Sequence, residues 1–332
     1  MTTATPDNAP LTPAAPTRAP WEKLTRQREL SVALVVLLLG ALLAILSPNF
    51  LNPANLQAVI LGLSFDAIVA VGMTILMVSG GFDLSVGSVL ALAGAVAGYS
   101  MVFLKMPVPV AIISGLLSAA FVGFINGLLV SRVRVNPLIA TLGMMSIARG
   151  AVYLLTSGLG IPLLPKSFNT LAQGKLFGIQ YPVFVMLVCV IVGDLLLRRS
   201  RYFRQSYFVG GNERSARLSG IRVERVLTVN YIICATMAGL SGLLLAARFG
   251  TASVSAGIGT DLRVISAVVI GGASLAGGEG TVLGSFFGVA LMALIANGLN
   301  LLGVNVYWQS IVIGGVLIIA VAADALSRRN RA

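Results

Sequence analysis

The sequence predicts an all-α, polytopic membrane protein of about ten transmembrane helices with both termini on the cytoplasmic side. Three observations carry that prediction. Hydrophobic residues make up 57% of the 332 residues and charged residues only 10%, with a mean hydropathy of +0.95; a soluble domain carries about 25% charged residues. The apolar residues gather in runs close to the roughly 20 that a membrane helix needs. The basic residues, which give a net charge of +12, lie between those runs. That is the positive-inside bias of membrane proteins rather than a nucleic-acid surface.

Residues 1–20 are rich in Pro, Thr and Ala and have no apolar period, so residues 1–29 read as a disordered cytoplasmic tail. Arg18, Lys23, Arg26 and Arg28 precede the apolar run from Leu30 to Leu46. The arrangement resembles a signal peptide, but the long tail and the lack of a small-x-small site point to an uncleaved first helix. The membrane domain then occupies 30–326. Its spans are expected at 30–46, 55–79, 85–104, 108–130, 137–156, 181–197, 225–247, 261–276, 281–302 and 306–326. Residues 327–332 form a cytoplasmic C-terminal tail. Only Ala276-Gly277-Gly278-Glu279-Gly280 separates the eighth span from the ninth, which makes one of them a candidate re-entrant segment. With ten spans and the N-terminus inside, the cytoplasmic segments hold seventeen of the 23 Lys and Arg. The outside holds four, Lys105, Lys166, Lys175 and Arg248. The same charge bias fits eight spans with re-entrant pieces.

Several chemistries are excluded. The chain has no histidine, and so no histidine proton relay, catalytic histidine or zinc–histidine site. Cys189 and Cys234 lie inside apolar runs and read as small core residues rather than a disulfide or metal site. None of the four lysines, Lys23, Lys105, Lys166 and Lys175, follows a phosphate-binding loop, so the chain cannot hydrolyse ATP by that route. Any energy must come from a partner or an ion gradient.

The most informative stretch is Gly80-Gly81-Phe82-Asp83-Leu84-Ser85-Val86-Gly87-Ser88, set between two apolar runs. Paired glycines followed by an acid break a membrane helix, and such breaks are tolerated only where protein or water satisfies the freed backbone. An acid at that depth should be solvated, paired or lining a cavity. One reading is a helix break beside a polar path; the other is a tight turn at the membrane surface. Gly80-Gly81 is echoed by Gly271-Gly272 and Gly277-Gly278, a faint hint of the internal repeats that many transporters contain. Small residues at four-residue spacing (Gly94 and Gly98, Gly123 and Gly127, then Gly280, Gly284 and Gly288) predict close helix packing in lipid.

The loop at 198–224 is the second signal. Asn212 can cap a helix and Gly220 can end one, leaving about two turns with Ala216 and Leu218 among charges. A short amphipathic helix there could dock in a groove of another protein; the alternative is an ordinary basic loop.

The segments Ala70-Val71-Gly72-Met73-Thr74, Gly80–Ser88, Gly210-Gly211-Asn212-Glu213, Leu218-Ser219-Gly220-Ile221, Gly271–Gly278 and Asn297–Gly303 resemble, in order and spacing, the ribose-type permeases of bacterial ABC importers, within the branched-chain amino acid/ribose permease superfamily. The resemblance runs from about residue 30 to the C-terminus. It implies the ABC importer permease fold and a multi-pass protein of the bacterial inner membrane, a transporter subunit rather than an enzyme. Its implied partners are a second permease copy (homodimer or heterodimer), a cytoplasmic ATPase subunit that binds ATP and Mg, and an extracytoplasmic sugar-binding protein. The substrate it implies is a monosaccharide, pentose, hexose or similar small polyol, moved inward by alternating access. The coupling helix to the ATPase would comprise Gly210, Gly211, Asn212, Glu213, Arg214, Ala216, Arg217, Leu218, Gly220 and Ile221. The outer loop 157–180 would receive the binding protein.

Sugar passage needs hydroxyl-compatible groups that bind weakly. Candidates are Asp83, Ser85, Asn126, Asn136, Thr141, Asn297 and Asn300, each of which could equally cap a helix or bond between helices. Asp66, Arg149, Asp261 and Arg263 also fall in or near the spans. The resembled permeases usually carry an acid where this chain has Arg263 and a neutral residue at the position of Asp66. An unpaired charge at that depth is expensive, so Asp66 is expected to pair with Arg263 or Arg149. The alternative is that Arg263 faces the path, and Asp66 and Arg263 join the path candidates on that account. Two other classes remain: a secondary transporter driven by an ion gradient, and a membrane scaffold with no transport role.

Overall fold

The computed structural model describes residues 28–305 and scattered positions beyond them up to 322. Residues 1–27 of the expected tail 1–29, the expected tail 327–332 and most of the expected span 306–326 lie outside the described residues, and Arg28 and Glu29, expected in the tail, begin the first helix. Twelve helices and one two-stranded ribbon are found among those described. Seven helices are long and apolar enough to cross a membrane: α1 (Arg28–Leu46), α2 (Pro53–Val78), α4 (Val108–Ser131), α5 (Pro137–Thr156), α7 (Tyr181–Arg199), α10 (Val223–Phe249) and α12 (Val282–Leu301). Each begins or ends within two residues of its expected limit. Asn52 caps α2 and Asn136 caps α5, each accepting a hydrogen bond from the N–H two residues on at 2.9 Å, ahead of a proline at the first helical position. Both features satisfy helix starts that would otherwise expose donors to lipid.

Two apolar runs do not make full-length helices. α3 (Val86–Val102) is 17 residues, and α11 (Thr260–Ile270) only 11. At 1.5 Å per residue α11 is about 16 Å long, half the roughly 30 Å of a hydrocarbon core. The expected helix over 261–276 is thus corrected: Gly271 and the turns over 271–281 end it early. Each short helix follows a long one that turns back. α2 ends at Val78 and the chain reverses through 79–85 into α3; α10 ends at Phe249 and reverses through 250–259 into α11. In chain course, 250–259 stands before α11 as 79–85 stands before α3. The two breaks touch. A Cβ on Gly87 would lie 2.2 Å from the carbonyl oxygen of Gly257, and one on Gly257 would lie 2.1 Å from that of Gly87.

α2 sits at the centre, with 78% of its most apolar stretch buried against 6% for α1 at the periphery. α10 packs on α2, α3 and α4, and α12 on α1, α2 and α11. The glycine ridges work as expected. Cβ atoms at Gly123 and Gly127 would strike α10 backbone at 2.5 and 2.7 Å, and one at Gly288 would reach the Ala267 carbonyl at 1.9 Å. Without a hydrophobic force between helices in lipid, this close backbone approach supplies the packing energy.

At one end of the bundle lie the loops 79–85, 132–136, 200–222 and 271–281, of which 132–136 and 200–222 carry the basic residues. There the expected loop 198–224 holds two helices, α8 (Arg201–Gly211) and α9 (Glu213–Leu218). At the other end the segment 157–180 forms α6 (Lys166–Gln173) and a ribbon of β1 (Lys175–Leu176) and β2 (Ile179–Gln180). It is tied down by an Ile161–Ala252 bridge and by Gln173, which donates to the Arg248 carbonyl at 3.0 Å. Phe168 and Ala172 of α6 face inward, whereas Leu159, Leu163 and Phe177 are almost fully exposed.

Candidate functional site: a docking helix fastened to a helix break

The basic end is organised around Gly210, near the end of α8. A Cβ there would lie 2.0 Å from the carbonyl oxygen of Val78, the last residue of α2, and 2.6 Å from the Gly278 nitrogen. The Gly278 N–H donates to that Val78 carbonyl at 2.9 Å. Gly277 in turn packs on Gly210 and Gly80. Three chain segments distant in sequence thus meet backbone to backbone at the start of the 79–85 break. Gly211, next along, has open space around it. Two side-chain bonds fasten α8 further. Asn230 of α10 donates to Ser206 at 2.9 Å, and the Tyr207 hydroxyl donates to the Gly280 carbonyl at 2.7 Å.

α9 leaves this junction at Asn212, whose side chain accepts from the Ser215 N–H at 2.9 Å. Gly220 ends it with φ +80°, a left-handed conformation that suits glycine. Ala216 is buried in a small cluster with Val209, Val223 and Val226, and Ile221 packs against it. Arg217 bonds Glu213 of its own helix and Glu224 of α10. Arg214 is exposed, and Leu218 is 84% exposed. One face is seated while the other presents a leucine and an arginine outward. A cavity of about 410 Å³ adjoins the helix, lined by Gly80, Arg134, Asn136, Gly210 and Glu213 among others.

The break itself is held from within. Asp83 is fully buried, accepting from the Ser85 N–H at 2.7 Å, the Ser85 hydroxyl at 2.6 Å and the Asn126 amide at 3.2 Å. Tyr231 of α10 donates to the Phe82 carbonyl at 3.1 Å. The carboxylate supplies the turn that starts α3, and its three donors offset the cost of burying it. Higher up, Arg149 of α5 donates to the carbonyls of Val254 and Ala256 at 2.7 and 2.9 Å. It so satisfies backbone that the second break leaves without a helix.

The remaining path candidates are scattered. Asp66, midway along α2, pairs with Arg263 of α11 at 3.2 Å, and Arg263 also donates to Thr260 at 3.0 Å. Of the two expected partners for Asp66, the structure takes Arg263. Thr141 is buried and bonds the Pro137 carbonyl of its own helix. Asn297 exchanges amide bonds with Asn55 at 2.7 and 3.2 Å, joining α12 to α2. Asn136 caps α5 at the basic end, and Asn300 is exposed near the end of α12. The sequence reading missed Asp194, one turn before the end of α7. It accepts from the Leu283 N–H at 3.3 Å and pairs with Arg198 at 2.7 Å, and Arg198 reaches Glu29 at 2.6 Å. Its spacing from Arg198, four residues on one helix face, was the available signal.

The Asp66–Arg263 pair is a quarter to a third exposed, which tempers its worth below that of a sealed pair. We expect Asp66→Asn and Arg263→Gln each to lower the yield of folded protein, and the double variant to lose less than the two losses combined. A coupling of about 0.5–3 kcal/mol in unfolding of detergent-solubilised protein would match groups in contact; additive losses would exclude the pairing.

The model of the family described as branched-chain amino acid transport system / permease component matches residues 55–321. The chain belongs to that family. This permease is 40% identical to the ribose import permease protein RbsC of Escherichia coli K12 over 305 residues, 91% of this chain and 94% of the relative. It is 37% identical to RbsC of Bacillus subtilis over 299 residues, 90% and 92% of the two chains. It is 33% identical to the L-arabinose ABC transporter permease protein AraH of Azospirillum brasilense over 330 residues, 99% and 96% of the two. No solved structure matches the permease. It is a membrane-embedded transport component rather than an enzyme.

Proposed function

We propose that this permease is the membrane-spanning subunit of an ATP-driven importer that carries a monosaccharide such as a pentose inward by alternating access. The observation that carries the reading is the join between α9 and the helix break. A capped helix with an exposed leucine is fastened through Gly210 to the end of α2, so a push on α9 is delivered directly to the element that must move. A separate cytoplasmic ATPase, which binds ATP and Mg, would grip α9 with Glu213, Arg214, Arg217 and Leu218 at the contact, while Gly210, Gly211, Asn212, Ala216, Gly220 and Ile221 hold its geometry. A second permease copy would complete the path, and a sugar-binding protein would dock at the end that carries α6 and the β ribbon. The likeness to ribose and L-arabinose permeases supports the sugar class.

In this reading the basic end faces the cytoplasm of a bacterial inner membrane. The chain crosses ten times, two crossings being the broken ones built on α3 and α11, and the last falling in 306–326. The path candidates divide by role. Asp83, Ser85 and Asn126 hold the break, Asn136 caps α5 beside the Gly210 junction, and Thr141, Asn297 and Asn300 belong to helix packing and helix ends. Asp66 and Arg263 adjoin the path. Uptake of labelled sugars into proteoliposomes holding the permease, its ATPase and its binding protein tests the proposal. Uptake is expected only with ATP and binding protein together. Uptake by the permease alone down an imposed ion gradient would favour a secondary transporter.

A further inference from the structure

An open cavity of about 640 Å³ lies between the starts of α3 and α11 and one face of α5, beside the two helix breaks. Ser88, Ser146, Arg149, Tyr153 and Asp261 supply its polar lining. The acid decides what the cavity is for. Asp261 and Arg263 stand two apart on α11, about 200° around the helix, and they face different neighbours. Arg263 turns to Asp66 of α2, whereas Asp261 lines the cavity opposite Arg149 and accepts no hydrogen bond among the described residues. An acidic side chain that faces an open cavity inside a membrane protein is solvated there. Arg149 spends its strongest bonds on the carbonyls of Val254 and Ala256, leaving further guanidinium N–H donors for a ligand.

We propose that this cavity is the transit site at which the substrate passes the two breaks, and that it takes a neutral polyhydroxylated molecule. Asp261 accepts hydrogen bonds from the hydroxyl groups and Arg149 donates to them. An acid and a guanidinium lining one cavity suit neighbouring hydroxyls, each of which both donates and accepts. The inference rests on the importer reading and deepens it by naming the place and the ligand chemistry.

The test separates the two. In the assembled transporter, with Cys189 and Cys234 replaced by alanine, Ser146→Cys on the cavity wall is compared with Leu195→Cys on an exposed apolar face of α7. The probe is a charged, membrane-impermeant thiosulfonate. Ser146→Cys is expected to react at least about tenfold faster, and its labelling to stop uptake. Equal, slow labelling of both positions, with and without ATP, would overturn the transit site. Fast labelling of Ser146→Cys in a preparation that shows no ATP-driven uptake would uphold the aqueous cavity and overturn the importer reading instead. Asp261→Asn supplies the ligand arm. Uptake of a neutral pentose is expected to fall about tenfold while stimulation of the ATPase by loaded binding protein persists. Unchanged uptake would remove Asp261 from the path.

Discussion

Replacing Gly210 with alanine is expected to cut ATP-driven uptake by at least tenfold. The added Cβ would lie 2.0 Å from the Val78 carbonyl oxygen and 2.6 Å from the Gly278 nitrogen. Both obstacles are backbone, so no side chain can swing aside. Overpacking of this kind costs about 1–3 kcal/mol, and a factor of ten in rate corresponds to about 1.4 kcal/mol. The cost falls on the junction that joins α8, the end of α2 and the 277–278 turn. The bond from Gly278 to Val78 is the first to open. Gly62→Ala, on the same α2 but with open space around the added carbon, is the control, expected to match the parent because alanine is the better helix former. Parallel assays of assembly, ATPase rate and uptake locate the fault. Intact assembly with ATP turnover but no uptake would mark the junction as the transmission. Normal uptake by Gly210→Ala would show that the contact can relax, and α9 would then need another route to the break.

Leu218→Arg is expected to weaken capture of the ATPase by about thirtyfold. Leu218 is 84% exposed and contributes little to the seat of α9, which rests on Ala216. An apolar anchor at the centre of a docking surface carries about 2 kcal/mol, roughly thirtyfold in affinity, and a charge in its place adds a desolvation cost. The folded permease should be recovered in normal yield, because neither the Asn212 cap nor the Arg217 ion pairs are touched. Co-purification of the ATPase with this variant measures the effect. Undiminished capture would move the docking surface away from α9.

The sequence carried most of the fold and part of the site, for different physical reasons. Long apolar runs bounded by Asn-Pro starts are local signals, so α2 and α5 are placed within two residues of their expected limits. The Asn212 and Gly220 signals around α9 are equally local and hold. The early end of α11 was not legible. Residues 261–276 are apolar enough to span, but Gly271 lies against the Gly284 carbonyl of the next helix, a tertiary fact. α8 was read as loop because its sequence mixes arginines with aromatic residues, and a helix lying along one end of a bundle lacks the apolar run that marks a span. The path candidates failed to gather for a related reason. Asn and Ser at membrane depth bond to one another across helices, as Asn297 does to Asn55, and sequence cannot tell that role from ligand contact. The two charged residues that line the cavity between the breaks, Arg149 and Asp261, were visible as charges in or near apolar runs. Their convergence depends on a meeting of segments about a hundred residues apart.

The contact between Gly87 and Gly257 also orders the making of the protein. Its two sides are separated by 170 positions of chain, and such distant pairings form slowly. A ribosome adding roughly 5–20 residues per second delivers the first break well before the second. Until then the opening turn of α3 lacks its contact with Gly257. The contact between the two breaks is thus completed late. Truncated chains that end before residue 257 should be cleared by membrane proteases even though most of their helices are already in place.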